Sequence, residues 1–141
     1  MPIRSLRSIV AGQAPVTAPG AMTVAEAARL MKRHRVGALL VVDRSRLIGI
    51  FTERDALFRV LADGRSPALT LIEDVMTAQP QTIHPDEPFV RALRMMHEGK
   101  FRHLPVVEFE RPLGMVSVRD ALDEDLDELR LELTQREAVR D

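Results

Sequence analysis

Apolar positions recur at two periods along this chain. Val24, Ala27, Ala28, Leu30 and Met31 fall at helical spacing and predict a helix reaching about His34. Thr23-Val24-Ala25-Glu26 ahead of them is a capping-box sequence, in which hydroxyl and carboxylate each satisfy a free backbone N–H. Gly37 is the expected stop. Ala38 to Val42 is an unbroken apolar run, the pattern of a strand covered on both faces. A polar turn, Asp43-Arg44-Ser45-Arg46, leads to a second strand from Leu47 to Phe51 and a helix from Glu53 to about Ala62.

The same order then returns. Leu71 to Thr77 reads as a short helix, and another helix opens near Asp86-Glu87-Pro88, an acidic cap with an early proline. Phe89, Ala92, Leu93 and Met96 form its apolar face, strands follow at Leu104–Val107 and Leu113–Val116, and a helix starts at Val118. Residues 1–22 are mixed, with Val16-Thr17-Ala18 a candidate short strand and Gln81-Thr82-Ile83 its partner. From Asp123 onward Leu126, Leu129 and Leu133 stand at helical spacing. This predicts an extended amphipathic helix, lying on its own core or forming a dimer contact.

The recurrence is a duplication. Gly49-Ile50-Phe51-Thr52-Glu53-Arg54-Asp55-Ala56-Leu57 is matched by Gly114-Met115-Val116-Ser117-Val118-Arg119-Asp120-Ala121-Leu122 at an offset of 65 positions. The same offset pairs Leu6 with Leu71, Thr17 with Thr82, Met31 with Met96 and Val41-Val42 with Val106-Val107. A gapless internal repeat over most of a chain sets its architecture. The expectation is an α+β, sandwich-like fold of two pseudo-symmetric units, residues 5–66 and 67–127, each strand–helix–strand–strand–helix. A helical tail covers 128–141. One unit alone has too little core to stand.

Composition narrows the function. With 20 Lys and Arg against 21 Asp and Glu, no global field draws the chain to nucleic acid or an acidic membrane. There is no cysteine, tryptophan or tyrosine, which removes thiolate chemistry and weakens readings based on base stacking. No signal-peptide run or membrane span is visible, so the expected location is cytoplasmic. His34, His84, His97 and His103 form no pair at metal spacing, and no metal site is expected. No nucleophile–base–orienter set is recognisable, so no enzyme activity is expected either.

What remains is the duplicated Thr52-Glu53-Arg54-Asp55 and Ser117-Val118-Arg119-Asp120. Either can be a simple capping box. The same geometry presents free N–H groups to an anion, a carboxylate to ribose hydroxyls and an arginine beside both. Capping alone does not require Arg and Asp together in both copies.

Together with Val36-Gly37-Ala38-Leu39-Leu40-Val41-Val42-Asp43, Arg102-His103-Leu104-Pro105-Val106-Val107-Glu108 and Asp74-Val75-Met76-Thr77, these motifs make the chain resemble a tandem pair of cystathionine-β-synthase-type (CBS) domains, the Bateman module. The resemblance spans about residues 5–125. It implies two clefts between repeats that bind an adenosine-containing ligand: AMP, ADP or ATP ahead of S-adenosylmethionine or NAD(H), with no catalytic cofactor. Asp55 and Asp120 would hold ribose, and Thr52 and Ser117 would meet ribose or phosphate, with Arg54 and Arg119 beside them. Thr17, Ala18, Thr82 and Ile83 would frame the base, and Arg102 and His103 would face phosphate. Repeat one carries Gly37-Ala38 where repeat two carries Arg102-His103, so the two clefts are expected to differ. The resemblance further implies a homodimer, two pairs forming a disc through their helices, and a regulatory chain acting on a separate protein. The alternative is a docking module whose clefts are empty.

Overall fold

A computed structural model describes residues 5–120 and 131–136. Its elements are α1 (Leu6–Val10), β1 (Thr17–Ala18), α2 (Val24–His34), β2 (Ala38–Asp43), β3 (Arg46–Thr52), α3 (Glu53–Asp55), β4 (Thr77–Ala78), α4 (Phe89–Gly99), β5 (His103–Glu108) and β6 (Arg111–Ser117). Alpha3 runs directly into a π-helical stretch, Ala56–Leu61. Two repeats of mixed α+β structure are present, as the sequence predicts. Residues 118–120 and 131–136 are helical, while Leu126 and Leu129 of the predicted tail helix lie outside the described residues. Among those residues no helix is long and apolar enough to cross a membrane.

Four strands form one sheet in the order β1-β2-β3-β4, and β5 with β6 forms the other. Strand parity explains the apolar run of β2. Leu39 and Val41 face one core, with Val24, Ala27, Met31, Phe51 and Val60. Ala38 and Leu40 face the other way, onto Ile50, Leu47 and Met115, so a seam between the repeats buries the second face. The second repeat has its own core of Ile83, Phe89, Ala92, Met96, Leu104, Val106 and Val116.

Each core is completed by a segment that precedes the other repeat. Leu6 and Val10 of α1 pack into the second core, whereas Ile72 and Val75, at the start of the second repeat, pack into the first. The glycines at equivalent positions of β3 and β6 make room for these crossing segments. A Cβ on Gly114 would stand 2.6 Å from Gln13 Oε1 and 2.8 Å from Val10 Cβ, and one on Gly49 would overlap Met76. Gln13 accepts from the Met115 amide and donates to the Ile9 carbonyl, fixing the first crossing on β6.

Several local expectations are corrected. Helix α2 stops at Arg35, whose φ of 55° is left-handed and whose amide donates to Lys32 and Met31 carbonyls; Gly37 is not the cap. Lys100 ends α4 in the same way, with φ 56°. Thr23 accepts from the Glu26 amide, half of the expected box. Leu71–Thr77 is helical only over Ile72–Asp74, as a 3-10 turn, and its last residue belongs to β4, paired with β3. Gln81–Ile83 makes a single parallel bridge, Ile83 to Val106, instead of a strand. The helix at Leu6–Val10, capped by Ser5, has no counterpart in the expected elements.

Candidate functional site

The capping box at the start of α3 is fully formed. Thr52 Oγ1 accepts from the Asp55 amide at 3.2 Å, and Asp55 Oδ2 accepts from the Thr52 amide at 2.9 Å and its hydroxyl at 3.1 Å. Capping and ligand recognition therefore need not exclude each other. Oδ2 is committed to the helix start, while among the described residues Oδ1 has the Arg59 Nε, at 3.6 Å. Asp55 is 8% exposed and is one of the residues lining a cleft of about 890 Å³.

That cleft is built from both repeats. Thr52, Glu53, Arg54, Asp55, Phe58 and Arg59 come from the first repeat's helix start, and Lys100, Phe101, Arg102 and His103 from the end of α4 and the start of β5. Pro80 and Gln81 form a third wall. The Arg54 guanidinium lies over the Phe58 ring, 5.4 Å from its centroid, a cation–π arrangement that holds a 53%-exposed phenylalanine at the mouth. Arg102 and Lys100 make no ion pair among the described residues and stand as open cations on the rim.

A second, smaller cleft of about 620 Å³ is the pseudo-symmetric counterpart. Ser117, Val118 and Arg119 face Arg35, Val36 and Gly37, the residues equivalent to Lys100, Phe101 and Arg102. The Ser117 amide donates to Asp120 Oδ2 at 2.6 Å, repeating part of the first cap. The crossing is thus defined: Thr52 faces Arg102, and Ser117 faces Gly37. The expected loss of Arg and His from one cleft is only partial, because Glu53, Arg102 and His103 line both openings.

Strand parity turns His103 toward the seam, where its counterpart Ala38 lies, and it is largely buried. Desolvation pushes its pKa below the ordinary value; Glu53 and Asp120 oppose that shift and Arg102 adds to it. Gly37 has its purpose here. A Cβ would sit 3.0 Å from Glu53 Oε1 and 3.4 Å from His103 Nε2, so its absence leaves room for both side chains at the junction of the clefts.

The structure brings Thr52, Arg54, Asp55, Arg102 and His103 together in the first cleft, and Ser117 and Arg119 in the second. It does not bring Thr17, Ala18, Thr82, Ile83 or Asp120 to either lining; Asp120 Oδ2 accepts from the Ser117 amide instead. Ala18 and Ile83 are 2% and 4% exposed and belong to the two cores, and the alternate residues Thr17 and Thr82 face solvent. Pro80 and Gln81, slightly earlier in the chain, take the wall position. Residues that sequence reasoning missed are Phe58, Arg59, Lys100 and Phe101; their equivalents 65 positions away are Asp123, Glu124, Arg35 and Val36, so a search for repetition passes over most of them.

Away from the clefts, His84, Asp86 and Glu108 bring their ligand-type atoms within 4.8 Å of one another, a grouping the histidine spacing did not foresee. Arg7 already occupies its centre, with Nη2 2.9 Å from Asp86 and 3.0 Å from Glu108. His84 Nδ1 accepts from the Asp86 amide. The cluster fastens α1 to the second repeat.

The CBS domain family model matches this chain twice, over residues 7–62 and 72–127. The chain belongs to the CBS-domain family, as a tandem pair. It is 37% identical to the mitochondrial CBS domain-containing protein CBSX3 of Arabidopsis thaliana, over 82% of this chain and 59% of that protein. It spans only 16% of CBSCBSPB1 from the same plant, at 44% identity over 62% of this chain. Among solved structures, a protein with CBS domains from Burkholderia ambifaria superposes with a TM-score of 0.81 at 29% identity, covering 88% of this chain and 95% of that one. The CBS pair of protein MJ0100, solved with 5′-methylthioadenosine and S-adenosyl-L-methionine, superposes with a TM-score of 0.80 at 29% identity, covering 90% and 99%.

Proposed function

We propose that the first cleft binds an adenosine nucleotide and that occupancy regulates the chain through the arrangement of its two repeats. The observation that carries this reading is Asp55: it lines the large cleft with one carboxylate oxygen committed to the helix cap, and the other, with only the longer Arg59 pairing among the described residues, is the acceptor offered to ribose hydroxyls. The adenosine ligands of MJ0100 support the class. Charge selects within it. With Arg59 engaged by Asp55 and the Val75 and Met76 carbonyls, Arg54, Lys100 and Arg102 still outnumber Glu53 and Asp55 around the cavity, which favours a phosphate-bearing AMP, ADP or ATP over the cationic sulfonium of S-adenosylmethionine. Gln81 and Phe101 are suited to the base, and Arg102, Lys100 and His103 to phosphate. The second cleft lacks the Arg102 equivalent on its own wall and is the weaker site. Regulation follows from differential binding, since both clefts include residues of both repeats. Leu57, Phe58 and Leu61, exposed along the π-helical stretch, supply the homodimer face. The chain's role is regulatory and non-catalytic.

The test is thermal unfolding with AMP, ADP, ATP, S-adenosylmethionine and NADH. A ligand at a hundred times its Kd adds about 2.7 kcal/mol, a midpoint rise of about 5–10 °C for a chain of this size. A rise with the phosphorylated nucleotides that shrinks in Asp55→Asn supports the assignment. A flat panel refutes it.

A further inference from the structure

We infer that Arg59 is a positioning residue that ties the ribose-facing carboxylate to the opposite wall of the first cleft; as a statement about ligand binding this rests on the nucleotide reading above. Its Nε faces Asp55 Oδ1 at 3.6 Å, and its Nη1 donates to the carbonyls of Val75 and Met76, each at 3.2 Å. Those carbonyls belong to the second crossing segment, which supplies Ile72 and Val75 to the first core. The same segment continues through Thr77 to Pro80 and Gln81, which line the cleft opposite Asp55. One side chain thus bridges the helix that reads the ligand and the strand that closes around it.

The geometry depends on the guanidinium fork. A single ammonium cannot reach a carboxylate on one side and two carbonyls on the other. It also depends on the π-helical turn: the Ala62 amide donates to Leu57, and the Arg65 amide to Val60, five residues back in each case. This widened turn sets the direction in which Arg59 leaves the helix, and such turns are frequent at functional sites. Because Asp55 Oδ1 is the oxygen free to accept a hydroxyl, a ligand there shares its acceptor with Arg59. Occupancy of the cleft therefore adjusts the tether to residues 75–81. The second repeat lacks the device, since Glu124 stands at the equivalent position.

Hydrogen–deuterium exchange of the full chain tests this, with Arg59→Gln, Asp55→Asn and the double variant. Asparagine keeps an oxygen for the helix cap. In Arg59→Gln without ligand, exchange at Met76–Gln79 should rise about tenfold, the scale of one charge-assisted bond, while Ala11–Gln13 in the other crossing segment should not change. Asp55→Asn should raise exchange in the same distant segment, and the double variant should be no faster than Arg59→Gln. Unchanged exchange at 76–79, a rise spread over the whole chain, or additive effects of the two substitutions would each overturn the tether. With saturating AMP, protection of 76–81 should appear in the parent and be lost in Arg59→Gln that still binds AMP by calorimetry. Protection retained in that variant would overturn the relay. A parent that binds no AMP would defeat the nucleotide reading instead, and exchange in the free protein would still decide the tether.

Discussion

Asp55 carries two functions on two oxygens, and substitutions should separate them. Asp55→Ala leaves Thr52 as the cap but removes the reciprocal half of the box, the bond from the Thr52 amide, as well as the ribose acceptor, so about 1 kcal/mol of stability should go with it. Asp55→Asn keeps a cap acceptor and should lose nucleotide affinity with a smaller drop in midpoint. Equal thermal losses in the two variants would show that the cap is not the difference. His103 has a different signature. Its pKa is lower in the folded chain than in the unfolded one, so the unfolded state takes up a proton first as pH falls. Stability should be fully present above the ordinary histidine value and decline as pH drops through about 6.5 toward the depressed one. His103→Asn should flatten that part of the midpoint-against-pH curve; an unchanged slope would place the titration elsewhere. A phosphate against His103 favours its charged form, so nucleotide affinity should rise over the same fall in pH.

At the level of elements, the two glycines under the crossing segments make a matched pair. Gly114→Ala presses a methyl group against Val10 and Gln13, and Gly49→Ala presses one against Met76. Each should cost about 1–3 kcal/mol through overpacking, measured as a fall in denaturant midpoint. Gly12→Ala, with open space around its Cβ but φ of 84°, separates backbone strain from crowding. The elements also mark what can be read from a sequence. The hairpins and the two cap motifs were legible because apolar runs broken by a polar turn and the Thr52–Asp55 spacing are local rules. The destination of the segments that begin at Leu6 and Leu71 was not, although their equivalence was: periodicity says which face is apolar and nothing about which repeat receives it. Arg59 was invisible because its role is spread over carbonyls at 75 and 76, and backbone groups carry no sequence signal. Thr82 and Ile83 looked like a wall by position within the repeat; burial of Ile83 in the core left that place to Pro80 and Gln81.

For the molecule as a whole, the reciprocal crossing makes the repeats interdependent. Residues 1–66 expressed alone lack Ile72 and Val75, and residues 67–141 alone lack Leu6 and Val10. Neither half should give a cooperative thermal transition by circular dichroism, whereas mixing them should restore one. A half that melts cooperatively by itself would show that the exchanged segments are accessory. The seam of Ala38, Leu40, Ile50 and Met115 joins the halves from within, and the Leu47 amide bonds to the Glu110 carbonyl, so relative movement of the repeats must act on both clefts together.

The crossing also orders events during synthesis. The first core can close once Met76 has left the ribosome, but α1 docks against Ile83, Leu104, Val106 and Val116, about a hundred residues later in the chain. At about 5–20 residues per second, Leu6 and Val10 spend roughly 5–20 seconds without their partners. A segment made ahead of both repeats is thus among the last of the described elements to be secured, and during that interval it is open to capture by a chaperone.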